Sequence, residues 1–195
     1  MERAKKRDII LLFLDASHFV MGCDFLGCVY SRERRFVRTW SGRKRYNVLG
    51  AIDFLTKKVH TTTNDSYITA TEVCEMLRNL RAVYTGKEVH LVLDNARYQK
   101  CKAVQELARR LDIHLDYIPP YSPNLNLIER LWKFVKGQLR SQYYDDFSLF
   151  CGMMDSLIDS STSTNKALID KLIGDKVQLF DDLSPSLNHC LSSAA

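Results

Sequence analysis

Apolar positions along the chain fall into unbroken runs, alternating runs and runs spaced at three or four residues. DIILLFLDA, Asp8 to Ala16, is nearly all apolar, as expected of a strand buried on both faces. RYNVLGAIDF, Arg45 to Phe54, and KKVHTTT, Lys57 to Thr63, read as a second and a third strand, and their short connections predict antiparallel neighbours. Thr71 to Tyr84 places Val73, Leu77, Leu80 and Tyr84 at helical spacing, with Thr71 and Glu72 at its start and Gly86 beyond its end. VHLVL, Val89 to Leu93, is another buried strand and runs into Asp94-Asn95. Lys100 to Leu111 carries Val104, Leu107, Ala108 and Leu111 on one helical face, and Ile113 to Ile118 alternates as a strand before Pro119-Pro120. A helix from about Leu127 to Arg140 follows. Residues 146–160 and 166–180 read as two more helices joined by a linker, SSTSTN, Ser160 to Asn165.

Three strands followed by β-α-β crossovers make a mixed five-stranded sheet flanked by helices, an α/β fold. The predicted organisation is a basic lead-in over 1–7, one domain over 8–145 and a helical extension over 146–195 with a frayed, Ser-rich end.

Composition changes this picture little. An apolar fraction of 46% and a charged fraction of 26% in 195 residues suit a soluble domain with a sizeable core. The apolar run near the N-terminus is too short to span a membrane and lacks a signal-peptide cleavage pattern. The six cysteines form no CxxC pair and the five histidines are scattered, so free thiols in a reducing compartment are expected.

Charge is more informative. The net +5 is concentrated in SRERRFVRTWSGRKRY, Ser31 to Tyr46, where Arg32, Arg34, Arg35, Arg38, Arg43, Lys44 and Arg45 face only Glu33 and are interleaved with Phe36, Trp40 and Tyr46. Such a stretch suits a nucleic-acid backbone; a solvated hairpin with its arginine stems on apolar surface is the plainer reading.

The acids fall at matched places. Asp15 ends the first predicted strand, Asp94 ends the fourth, and Glu129 opens the helix after the fifth. Ligands in α/β sheets are held outside strand ends. If the first and fourth strands are parallel neighbours, Asp15 and Asp94 lie side by side and the helix brings Glu129 over the same edge. Clustered carboxylates repel one another without a cation, and hard oxygen ligands suit Mg²⁺ or Mn²⁺. Two such ions support phosphodiester cleavage and transfer. Each acid also has a structural alternative: either Asp as a turn residue, and Glu129 with Asn126 as a capping box.

LLFLDASHF, HLVLDNARYQK and YIPPYSPNLNLIERLWKFVK together resemble the three acidic motifs of the DDE transposases, nearest to the insertion-sequence branch related to mariner elements. Thirty-four residues separate Asp94 from Glu129, a spacing of that branch, and RTWSGRKRYNVLGAID resembles its second-strand region. The resemblance covers residues 8–140. It implies a ribonuclease-H-like fold with Asp15, Asp94 and Glu129 as the metal-binding catalytic triad, two Mg²⁺ or Mn²⁺ ions and no organic cofactor. Asn95 would orient Asp94 or contact DNA. The implied partners are double-stranded DNA, at element ends and at TA targets, and a second copy of the chain; the implied location is the cytoplasm, at the nucleoid. Arg34, Arg35, Arg38, Arg43, Lys44, Arg45, Lys133 and Lys136 are the candidate DNA contacts, the last two otherwise a solvated helix face. Pro119, Pro120 and Pro123 stiffen the approach to the helix, and Trp132 with Ile128 and Val135 is expected to pack in the core.

Two departures stand out. Ala16 follows the first Asp where the family often has an acid, and nothing before Asp8 has the length of the family's helix-turn-helix region, so this chain is expected to lack specific end recognition. The competing readings are a non-catalytic, DNA-binding and dimerising remnant, and a ribonuclease-H-like nuclease acting on hybrids.

Overall fold

Strand β1, Ile9–Val20, is longer than its apolar run. Ser17 and His18 hide its second half from a hydrophobicity reading, yet Ala16 to Val20 continue the antiparallel ladder with β2, Arg45–Asp53, as far as Val20 opposite Arg45. The computed structural model describes residues 9–21, 44–119, 125–139 and 144–162, with 167, 169 and 171. The predicted lead-in, most of the basic stretch, Pro120 to Pro123 and most of the second predicted C-terminal helix lie outside them.

β3, Val59–Asn64, pairs antiparallel with β2; β4, Glu88–Leu93, and β5, Ile113–Tyr117, continue the sheet in parallel, giving the order β3-β2-β1-β4-β5. Helix α1, Ala70–Val83, and α2, Lys102–Arg110, are the crossovers into β4 and β5. α3 is Ile128–Leu139 and α4 is Phe147–Thr162. α1 begins earlier than predicted: Thr69, not Thr71, caps it. The Thr69 hydroxyl accepts from the Thr71 amide, and the Glu72 carboxylate accepts from the Thr69 amide at 2.7 Å. α4 runs through Thr162, so the first residues of the predicted linker are helical.

Alternation along the strands sorts the core into two layers. Leu12, Leu14, Leu49 and Leu91 face α1 and α2, against Val73, Leu77, Leu80 and Val104. Phe13, Val48, Ile52 and Val92 face α3 and α4, against Leu131, Trp132, Phe150 and Met154. Each such side chain, once buried, contributes about 1.5–3 kcal/mol. α4 is further tied to the sheet by the Tyr46 hydroxyl, which donates to Asp155 Oδ1 at 2.8 Å. The opening of the predicted C-terminal extension thus shares the core of the sheet. Among the described residues no helix is long and apolar enough to cross a membrane.

Candidate functional site

The parallel register of β1 on β4 places the first two acids. Their ladder ends with Phe13 opposite Val92, and two more steps bring Asp15 beside Asp94. Asp15 does not end its strand, as its sequence suggested; it lies inside β1, paired with Gly50 of β2. What ends there is the pairing of β1 with β4. Asp94 does follow directly on β4, and the Ala96 amide donates to its Oδ1 at 2.9 Å, the Asx turn that closes the strand. By alternation both carboxyls fall on the α3 side of the sheet.

Neighbouring groups hold this edge. The Asn95 side-chain amide donates to the Ile118 carbonyl, and the Ile118 amide donates to the Leu93 carbonyl at 3.0 Å. Asn95 therefore braces the exits of β4 and β5 against each other. Tyr98 stands near both aspartates; burial, followed by the charge of Asp94, pushes its phenol up to about 12, so it is neutral at physiological pH.

Glu129 lies in the first turn of α3. Asn126 does not cap that helix through its side chain. Its amide instead donates to the carbonyl of Leu14 at 2.9 Å, fixing the start of α3 to the residue before Asp15. Its Oδ1 is buried without a hydrogen-bond partner. One turn further, Trp132 is 3% exposed and meets Phe19 edge-on at 6.1 Å, which confirms its packing role. Its ring lies on Gly50, where an added Cβ would come within 2.6 Å of Trp132 Cζ2. The residue opposite Asp15 thus has no side chain, and α3 closes onto the sheet there.

Asp15 and Glu129 border one cavity of about 350 Å³ with His18, Trp132, Lys133 and Lys136, and Asp94 is not part of its lining. Burial pushes Asp15 from 3.8 up to about 7; the Ala16 amide opposes this, Asp94 and then Glu129 add to it, and Lys136 opposes. Glu129 is also raised, first by the protein around it and then by Asp94, with Lys136 opposing. Burial is the first cause in both, and the neighbouring carboxylates add to it. Their oxygens are not all drawn within 4.8 Å of one another.

A stability effect follows for the metal-free protein. The folded chain keeps the Asp15 proton up to about pH 7, whereas the ordinary value for its release is 3.8. The folded state therefore binds more protons across that window, and stability falls as pH rises through it. Asp15→Asn removes this dependence. In EDTA at pH 8 the variant should be more stable than the parent by on the order of 2 kcal/mol, with no gain at pH 4. Thermal melts at the two pH values check this, and a variant less stable than the parent at pH 8 would contradict it.

Of the remaining candidates, Lys133 and Lys136 are on the exposed side of α3 at the cavity, and Lys136 also lies over the Phe19 ring at 5.5 Å. Lys44 and Arg45 lie further along the β1–β2 ladder from Asp15, where they border a second cavity with Asp65, Tyr67 and Phe147. Arg34, Arg35, Arg38 and Arg43 fall outside the described residues. Sequence reasoning missed Gly50, Tyr98 and His18, although each lies within a stretch it singled out. His18 Nδ1 is 2.6 Å from Asn47 Oδ1, and the Asn47 amide donates to Asn64 and to the Ser66 carbonyl.

The family model described as DDE superfamily endonuclease matches residues 11–151. Among solved structures, the Mos1 pre-cleavage transpososome matches at 16% identity and a TM-score of 0.59, over 92% of this chain and 60% of that one. The Mos1 strand transfer complex matches at 17% identity and a TM-score of 0.58, over 92% and 59%. The mariner Mos1 paired end complex with Mg matches at 16% identity and a TM-score of 0.59, over 92% and 60%. The chain therefore spans about three fifths of the length of these solved chains, which share its ribonuclease-H-like fold. No curated protein matches it in sequence.

Proposed function

Since the chain belongs to the DDE superfamily endonucleases, whose family model covers residues 11–151, we propose that it cleaves DNA and joins strands in DNA transposition, with Asp15, Asp94 and Glu129 as the catalytic carboxylates. One observation carries this reading. The β1–β4 register sets Asp15 beside Asp94 at the end of β4, and Glu129 from the start of α3 shares a cavity with Asp15.

The donor set is all hard oxygen, which fits Mg²⁺ or Mn²⁺ better than softer metals. Asp15, Asp94 and Glu129 would hold the cations, two in number. When bound, such ions polarise a phosphodiester and activate the attacking water or 3′-hydroxyl. The chain's own residues do the rest. Lys133 and Lys136 attract the DNA backbone to the cavity rim. Asn126 and Trp132 fix α3 so that Glu129 reaches the edge with little freedom. Lys44 and Arg45, at the far end of the β1–β2 ladder, extend the cationic track. The substrate is double-stranded DNA, at element ends and at TA targets, and the working unit is a homodimer.

The test is nicking of supercoiled plasmid in Mg²⁺ and in Mn²⁺, with Glu129→Gln alongside. Metal-dependent nicking that falls roughly 10²-fold or more in the variant is expected. Nicking that is equal in both proteins, or plasmid binding with no nicking by either, would sink the catalytic reading and leave a DNA-binding chain.

A further inference from the structure

At the opposite end of β4 from Asp94, three metal-ligating side chains converge. Glu88 and His90 are two apart on one strand and so share a face. His114 is the direct partner of His90 in the parallel ladder with β5. One ligand atom from each of Glu88, His90 and His114 lies within 4.8 Å of the others, and the two imidazoles stack with centroids 4.6 Å apart. Asp116, two residues along β5 and 2% exposed, completes the arrangement: its Oδ2 is 2.8 Å from His90 Nδ1.

The hydrogen bonding around His90 is informative. A neutral imidazole has one N–H. In the tautomer whose N–H the buried Asp116 carboxylate takes at Nδ1, the Nε2 lone pair faces Glu88 Oε1 at 3.0 Å. Two acceptors face each other there unless a positive charge, proton or metal ion, lies between them. A carboxylate behind the distal ring nitrogen is also how metal-bound histidines are oriented.

We propose that Glu88, His90 and His114 form a second metal site, oriented by Asp116, which takes a borderline divalent ion such as Zn²⁺ and clamps β4 to β5. Two imidazoles and one carboxylate suit that class of ion, whereas an all-carboxylate set suits Mg²⁺ or Mn²⁺. The β4 ligands of the site lie roughly 13–20 Å along the strand from Asp94, at about 3.3 Å per residue. It is therefore structural, and it stands independently of the catalytic proposal. The exposed His114 ring swings toward the ion, and water completes the coordination.

Zn²⁺ titration calorimetry on the purified chain tests this, with His114→Ala, Glu88→Gln and Glu129→Gln compared. His114 is exposed, so its removal leaves the core intact, and circular dichroism verifies that. The expected result is one equivalent of Zn²⁺ bound by the parent and by Glu129→Gln, with affinity at least 10-fold weaker in His114→Ala and in Glu88→Gln. Co²⁺ substitution should give a spectrum without thiolate charge transfer, since none of the ligands is a cysteine. Unchanged affinity in both His114→Ala and Glu88→Gln, loss of binding only in Glu129→Gln, a thiolate spectrum, or no binding at about 100 µM Zn²⁺ would each overturn the proposal.

Discussion

Replacing Asp94 by Asn is expected to lower metal-dependent plasmid nicking by roughly 10³-fold while moving the melting temperature by no more than about 3 °C. The substitution preserves shape and, through the remaining oxygen, the acceptor that the Ala96 amide uses at 2.9 Å. The turn after β4 therefore closes as before. What disappears is the charge, and with it the cation ligand proposed above. The loss also relieves Asp15 and Glu129, both of which Asp94 pushes up, so stability in EDTA should hold or rise. DNA retention should be nearly unchanged, because Lys133 and Lys136 are on α3 and do not depend on this side chain. Nicking, melting and filter binding on one preparation separate the three effects. A folded Asp94→Asn protein that still nicks at the parental rate would remove Asp94 from the catalytic set.

The order of elements was legible because it follows from patterns within short windows, whereas the parallel pairing of β1 with β4 was a condition that the ladder now meets. An unbroken apolar run marks a doubly covered strand, and a helix between two such runs implies a parallel crossover. Asp15 and Asp94 come side by side only with β1 and β4 as neighbours, which the assembled sheet supplies. Long-range details were not legible. Nothing near Asn126 says that its side chain serves the carbonyl of Leu14, 112 positions away; the local pattern favoured a capping box. The same limit applies to β1, whose polar second half is held by a partner strand that begins at Arg45. Scattered histidines suggested no ligand set, yet His90 and His114 become neighbours once β4 and β5 pair. The three acids were candidates from their positions in the chain. The side chains that hold α3 against the sheet could be identified only from the assembled fold.

Gly50 is the sharpest case, and Gly50→Ala is expected to weaken folding by about 1–3 kcal/mol and nicking by on the order of 10²-fold. An alanine Cβ would lie 2.6 and 2.7 Å from Trp132 Cζ2 and Cη2, and 3.0 Å from Ile128 Cδ1. The indole has little room to retreat, since it is 3% exposed and seated against Phe19. Relief must therefore come from α3 moving off the sheet, and Ile128 is the residue before Glu129. A shift of this helix changes the distance from Glu129 to the two aspartates, one of which, Asp15, is directly opposite Gly50. The activity loss should thus exceed what the lost stability alone would give at temperatures where the variant is folded. Trp132→Phe provides the control, because phenylalanine lacks the outer ring atoms that the added methyl group would meet. In that background Gly50→Ala should cost much less in both melting and nicking, a coupling that a double-mutant cycle measures. Equal penalties in the two backgrounds would show that the contact between Gly50 and Trp132 does not set the position of Glu129. Whatever places the third carboxylate would then have to act through the Asn126 tether to Leu14.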